Sequence, residues 1–310
     1  MMLSRTASEL YWMARYLERA ESFARVLDVT WKLSMMPRHR QQQHDLALPL
    51  NLTFSHELFQ QRYARFSMNN LLNFFALDSH NPSSIYSCIE MAWNNAHAVR
   101  GSLSSEVWEC INTTRIDIRN LRQSGVDKIG IDTFFDWVKE RSHLFRGAMF
   151  GTLLRNDAQC FIRVGTLIER AYATAQLLAL KDQQLNNDPD PVREYYRLDT
   201  LLRAVSAREA YHSIYRQPIS RETVSELLVF RNDVPRSLHA CVADLVQQLE
   251  MIGNTRAHVP LRRAHLLHVE LRFGSLDEVM NQGLQNWLNH FLTQINELAD
   301  SIRQTYLEAI

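Results

Sequence analysis

Thr6-Ala7-Ser8-Glu9-Leu10-Tyr11-Trp12-Met13-Ala14-Arg15-Tyr16-Leu17-Glu18-Arg19-Ala20 returns later in the chain in altered form. The second version is Asp157-Ala158-Gln159-Cys160-Phe161-Ile162-Arg163-Val164-Gly165-Thr166-Leu167-Ile168-Glu169-Arg170-Ala171. The two Glu-Arg-Ala triplets stand 151 residues apart, close to half of a 310-residue chain. Small, apolar and charged positions match along both runs. Around the first, Leu3, Ala7, Leu10, Ala14, Leu17, Ala24, Leu27 and Trp31 recur at steps of three, four and seven. That is the period of a helix buried along one face. An internal duplication is the simplest source of the echo, and it sets a Glu-Arg pair among apolar residues on two equivalent helices. Charges in such surroundings need partners or a purpose.

The rest of the composition agrees with an all-α fold. Nine Gly and eight Pro are few for this length, 46% of residues are hydrophobic, and alternating Val/Ile/Thr runs are nearly absent. With 34 basic and 34 acidic residues the formal net charge is zero, which argues against a nucleic-acid binder. Cys88, Cys110, Cys160 and Cys241 are dispersed without a C-x-x-C and read as small core residues in a reducing cytosol. The N-terminus lacks a continuous apolar h-region, and no stretch approaches 18 apolar residues, so export and membrane spanning are not expected.

Along the chain, helices are expected over 3–36, ended by Pro37, and over 54–77, with 37–50 as an exposed connection. Asn81-Pro82 is read as the cap and first residue of a helix to Arg100, and Ser104 as the cap of the next, with Glu106 in its first turn. After a break at Gly125–Gly130, helices follow over 132–146 and 149–181. Asn186-Asn187-Asp188-Pro189-Asp190-Pro191 is the clearest linker. Beyond it the pattern gives helices at 191–216, 220–230, 235–252, 258–273 and 276–308, the last opened by a capping box, Ser275-Leu276-Asp277-Glu278. Arg100-Gly101-Ser102-Leu103-Ser104-Ser105-Glu106 and Arg216-Gln217-Pro218-Ile219-Ser220-Arg221-Glu222 form a weaker second echo. The sum is a bundle of about ten helices in one domain, 1–310, with related halves near 1–147 and 148–310.

Several of these stretches together resemble the signatures of the bacterial alpha-E family, all-helical proteins named for a Glu-Arg motif. They are Met2-Leu3-Ser4-Arg5-Thr6-Ala7 through Glu18-Arg19-Ala20-Glu21, Leu154-Arg155-Asn156-Asp157-Ala158 with Glu169-Arg170-Ala171, Leu202-Arg203-Ala204-Val205-Ser206-Ala207-Arg208-Glu209-Ala210-Tyr211, Val234-Pro235-Arg236-Ser237-Leu238, and Gly101-Ser102-Leu103-Ser104-Ser105-Glu106-Val107-Trp108-Glu109. The chain departs from the family at Ala92-Trp93-Asn94-Asn95-Ala96-His97, where Ala-Arg-Glu-Asn-Ala-Arg is usual: three charged positions there have become Trp, Asn and His. The family's own activity is not established. The resemblance implies company: a circularly permuted ATP-grasp ligase and a transglutaminase-like peptidase, sometimes a proteasome-like peptidase, in a cytoplasmic system that makes or removes amide-linked peptide modifications. No Gly-rich phosphate loop follows a strand pattern in this chain, so ATP would be used by a partner.

The candidate network is Glu18, Arg19, Arg155, Asp157, Glu169, Arg170, Arg208 and Glu209. Neighbouring helical residues point about 100° apart, so Glu18 would meet Arg170 and Glu169 would meet Arg19 if two such helices packed about a pseudo-two-fold axis. Such residues fix helix register, form a polar pocket whose arginines anchor a carboxylate or amide, or are exposed charge with no special role. A rival reading takes Glu18, Glu140-x-x-His143, Glu169 and Glu209-x-x-His212 in the ligand order of ferritin-like di-metal bundles. Two such Glu-x-x-His pairs are not surprising by chance in this composition, and the adjacent arginines oppose a cation. His258, His265 and His268, with Arg256, Arg262, Arg263 and Arg272, make an Arg/His-rich helix that is either a solvated face or a contact for an acidic partner. Phe134, Phe135, Trp137 and Phe145 read as core. No nucleophile–base motif is recognisable, and no cofactor is expected. The leading functional expectation is an accessory or binding component that works with the ligase and holds a peptide, an amino-acid carboxylate or the ligase itself. A di-metal oxidase and a helical amide-transfer or amide-hydrolysing enzyme are the alternatives.

Overall fold

A computed structural model describes residues 2–35, 43–252 and 258–308; Pro37 and Arg256 lie outside these. Among the described residues the regular structure is all helical, without strands. In order the helices are α1 (Ser4–Ser34), α2 (Gln43–Leu46), α3 (Leu48–Thr53), α4 (His56–Arg62), α5 (Met68–Ala76), α6 (Ile85–Ala98), α7 (Ser105–Ser124), α8 (Ile131–Thr152), α9 (Asp157–Asn187), α10 (Pro191–Ala204), α11 (Arg208–Ile214), α12 (Arg221–Phe230), α13 (Leu238–Ile252), α14 (His258–Phe273), α15 (Leu276–Gln282) and α16 (Leu284–Ile302). The chain divides into two compact units, residues 1–166 and 167–310.

In the first unit α1 packs along α6 and α8, and α7 joins α6 to α8, so these four helices close into a bundle. Ala7, Leu10, Ala14, Leu17, Ala24 and Leu27 are buried, as the spacing predicts, whereas Leu3 is 76% exposed. Phe134, Phe135 and Phe145 are core, with Trp137 packed against it. Phe59, Phe74 and Phe75 stack edge to face beneath α1, with Phe23 stacked on Phe75. Gly165 of α9 lies against the backbone of Tyr11: a Cβ there would stand 2.3 Å from the Tyr11 carbonyl oxygen, so only glycine permits the approach. At the offset of the first echo Gly165 corresponds to Ala14, another small residue. In the second unit α12 meets α10, α13, α14 and α15, and α14 lies on α13 and α16.

More helical segments are present than the ten expected, because several long helices are interrupted. The 54–77 stretch is two helices, α4 and α5, separated by an extended Tyr63 and restarted by Ser67, whose hydroxyl accepts the Asn70 N–H. The 191–216 stretch breaks after α10, where Ser206 takes a left-handed φ of 53°. The 276–308 stretch breaks at Gly283, φ 88°. The gap expected after 146 falls at 153–156, and Asn156 caps α9 by accepting the Ala158 N–H at 3.0 Å. Residues 45–50 are no exposed connection, since Asp45, Leu48, Pro49 and Leu50 are buried. Nor is Asn81 the cap of α6. It is buried, donates to the Phe74 carbonyl and accepts the Ser83 N–H, while Ser84 caps the helix.

Other local signals hold. Ser104 and Ser220, equivalent in the second echo, each cap a helix by accepting the N–H three residues on, and Ser275-Glu278 forms its capping box. Asp190 caps α10 with Pro191 at its first position. All four cysteines are free and buried, and burial pushes the Cys110 thiol up to about 11. Among the described residues, no helix is long and apolar enough to cross a membrane.

Candidate functional site

Helix α1 carries acidic side chains on its inner face at Glu18, Glu21 and Asp28, and α8 answers with Lys139, Ser142 and Arg146 at steps of three and four. Glu21 is fully buried. Its Oε1 accepts from Nε and Nη2 of Arg25, one turn on, at 2.9 and 2.8 Å. Its Oε2 accepts from Ser142 Oγ at 2.6 Å and from Arg146 Nη1 at 2.5 Å. The same Arg146 nitrogen also reaches Ser142 Oγ at 2.9 Å and lies 3.6 Å from Glu18, which is 2% exposed. Further along, Asp28 pairs with Lys32 at 2.6 Å and Lys139 at 3.1 Å. This is a continuous charged seam between two helices. Four donated hydrogen bonds satisfy one buried carboxylate.

Glu21 closes the first signature, yet it, Arg146 and Ser142 were absent from the candidate network. The missed signal was complementarity: an acidic stripe on α1 and a basic one on α8, separated by more than 100 residues. Beneath the seam lies a cavity of about 20 Å³ that includes Leu17, Ala20, Cys110, Thr114 and Ser142 in its lining. That volume suits about one water molecule, not a substrate.

The predicted residues fall into three groups. Glu18 and Glu169 are buried, at 2% and 4%, and Arg19 and Arg170 are half-buried, so the two motifs have matching environments. The Arg19 guanidinium lies 5.7 Å from the Tyr16 ring centroid. Arg155 is exposed in the turn before α9, and Asp157 occupies that helix's first turn, favoured by the dipole. Arg208 belongs to a clasp: Asp199 Oδ1 accepts its Nε at 2.6 Å, while Oδ2 accepts from Arg203 at 2.7 Å, bridging the α10–α11 break. Burial opposes ionisation of Asp199, but these arginines outweigh it and hold the carboxyl below its ordinary range. Glu209, next to Arg208, is exposed.

The di-metal arrangement is not what the fold builds. Glu140, His143, Glu209 and His212 are all exposed, while α8 turns Val138, Ser142, Phe145 and Met149 inward. Among the described residues no group of three or more His, Cys, Asp or Glu side chains could hold a metal ion. The Glu-x-x-His spacing does share a helix face here, but that face points to solvent.

The second unit buries charge differently. Asp182 of α9 is 2% exposed, and its Oδ1 accepts from Arg221 Nε at 2.7 Å, with Nη2 of the same guanidinium ion-paired 2.5 Å away. Asn186 reaches the other oxygen at only 3.4 Å. Burial outweighs these partners and raises the Asp182 carboxyl above its ordinary value. The linker after α9 is held too: Arg197, 4% exposed, donates to the Gln184 and Asp188 carbonyls and to the Asp188 carboxylate.

The departure at 92–97 has become an aromatic ladder. Trp93 stacks on His97 at 4.8 Å, Trp108 lies 6.0 Å from both rings, and the Arg115 guanidinium sits 3.5 Å from the Trp93 centroid. Glu90 holds Arg115 at 3.1 Å and Arg119 at 2.5 Å.

Comparison with known proteins adds three findings. A family model described as "a predicted alpha-helical domain with a conserved ER motif" matches residues 2–307. The chain is 24% identical, over 98% of its length, to uncharacterized proteins of Mycobacterium bovis and of two strains of Mycobacterium tuberculosis, and it spans 37% of the length of those relatives. No solved structure matches.

Proposed function

The chain belongs to the alpha-E family, and from that premise we propose that it is an accessory, binding component of a cytoplasmic system that makes or breaks amide bonds on peptides. It acts beside an ATP-grasp ligase, with a transglutaminase-like and in some settings a proteasome-like peptidase as further company. In this reading Glu18, Arg19, Glu169 and Arg170 belong to twin helices derived by duplication, through which a peptide or amino-acid carboxylate, or the ligase, is engaged. Equal helix length supports the duplication, since α1 and α9 each run 31 residues.

The observation that favours this reading over a catalytic one is the state of Glu21. Its two oxygens take four donated hydrogen bonds, from Arg25, Ser142 and Arg146. A carboxylate so engaged is built to fix geometry, whereas a general base needs an oxygen open to the proton it takes. The mycobacterial relatives, in which the matched region is a minor part of a longer chain, support work in company. The test is to assay a circularly permuted ATP-grasp ligase with and without the full chain. A changed rate, product length or acceptor range is expected. An unchanged ligase, or amide turnover by the isolated chain, overturns the proposal.

A further inference from the structure

Helix α14 has two apolar faces, and only one is used by its own unit. Pro260, Ala264, Leu267 and Leu271 are buried, in a fold where α14 lies on α13 and α16. Val259, Leu266, Val269 and Phe273 are 56%, 60%, 52% and 73% exposed. These four, with Arg262, are spaced by three, four, three and four residues. That is the a/d pattern of a coiled-coil seam, about 21 Å long, pointing almost directly away from the buried face. Arg262 sits inside the seam, exposed and without an acidic partner among the described residues. His258, His265 and Arg272 run along one flank. Of these, His265 lies 3.3 Å from Glu250, and the Arg272 guanidinium lies 5.4 Å from the Phe273 ring centroid.

We infer that this face of α14 is a docking surface for an acidic amphipathic helix of a partner protein, which covers the apolar seam and places carboxylates against Arg262 and the basic flank. This deepens the binding role proposed above and locates a partner surface outside the Glu-Arg helices. Charge decides between occupants. A second copy laid parallel would set Arg262 against another Arg262, and one laid antiparallel would press the basic flank against itself. A membrane surface wants a broad apolar face, whereas this stripe is narrow and interrupted by a guanidinium. A helix with leucines on its seam and glutamates beside it satisfies both the stripe and Arg262.

The probe is a synthetic 21-residue helix with leucine at a and d and glutamate at the flanking positions. It is titrated onto the full chain by fluorescence anisotropy, beside a lysine-flanked version. Saturable one-to-one binding of the acidic peptide is expected, at least tenfold tighter than the lysine form. Leu266→Glu should weaken it at least tenfold. Arg262→Glu, which keeps the apolar residues, should reverse the preference between the peptides. Both substitutions are at exposed positions, and circular dichroism confirms that the helices persist. Equal binding of both peptides, no effect of either substitution, concentration-dependent dimerisation through this face, or capture by phosphatidylserine vesicles in place of the acidic peptide would each overturn the inference. A ligase left unaffected by the full chain while the acidic peptide still binds would remove the functional reading and leave this surface standing.

Discussion

Glu21 and Asp182 are both carboxylates sunk into helical packing, one on α1 and one on α9, and their surroundings differ in the number of donors. Glu21 receives four hydrogen bonds shared between both oxygens. Asp182 has one arginine on a single oxygen and a long contact from Asn186 on the other. Buried charge is tolerated when each lone pair is answered and becomes a weak point when it is not. The first unit has made its carboxylate a structural pin. In the second, burial prevails over the partners and raises the carboxyl above its ordinary value.

Truncation should separate the two most sharply. Glu21→Ala leaves Arg25 and Arg146 without the buried carboxylate that both donate to, and the expected loss is about 4 kcal/mol in urea unfolding. Asp182→Asn keeps an oxygen for Arg221 and removes a charge that burial already penalises, so its effect at neutral pH should stay within about 1 kcal/mol of zero. Equal losses for the two variants would break the comparison. Gly165→Ala supplies a control without charge. It forces a Cβ onto the Tyr11 carbonyl, and the expected cost is about 3 kcal/mol, seen as a lowered melting temperature. A neutral result there would mean that α1 and α9 can part at their crossing without consequence.

What could be read in the sequence was local. Ser104, Ser220, Ser275 and Asp190-Pro191 act within three residues of where they stand, so their chemistry is visible in a short window. The twin motifs were visible because a repeated stretch is a pattern in order, not in space. The seam was hidden because Glu21 meets Ser142 and Arg146 across 121 and 125 residues, and nothing local marks which basic helix faces α1. The helix breaks at Tyr63 and Ser206 were missed because neither glycine nor proline announces them. Arg208 belonged to the candidate charge network, yet Asp199 uses it together with Arg203 to hold the chain across such a break.

The finest test uses pH, because Asp182 and Asp199 shift in opposite directions from the same ordinary value of 3.8. Asp199 is depressed, so its stabilisation is full above 3.8 and is lost as pH falls through the lower folded value. The amount is modest, about 1 kcal/mol, because Arg203 and Arg208 are 48% and 32% exposed and solvent screens them. Asp182 is raised, so the folded state holds its proton longer than the unfolded chain does. Its contribution is most favourable below 3.8 and declines as pH rises through the folded value. Urea midpoints of the natural chain, Asp182→Asn and Asp199→Asn between about pH 3 and pH 7 should therefore diverge. Relative to the natural chain, Asp199→Asn should lose ground with rising pH and Asp182→Asn should gain it. If both differences run the same way, Arg221 and Asn186 satisfy Asp182 as fully as its neighbours satisfy Glu21, and donor number does not distinguish the two buried carboxylates.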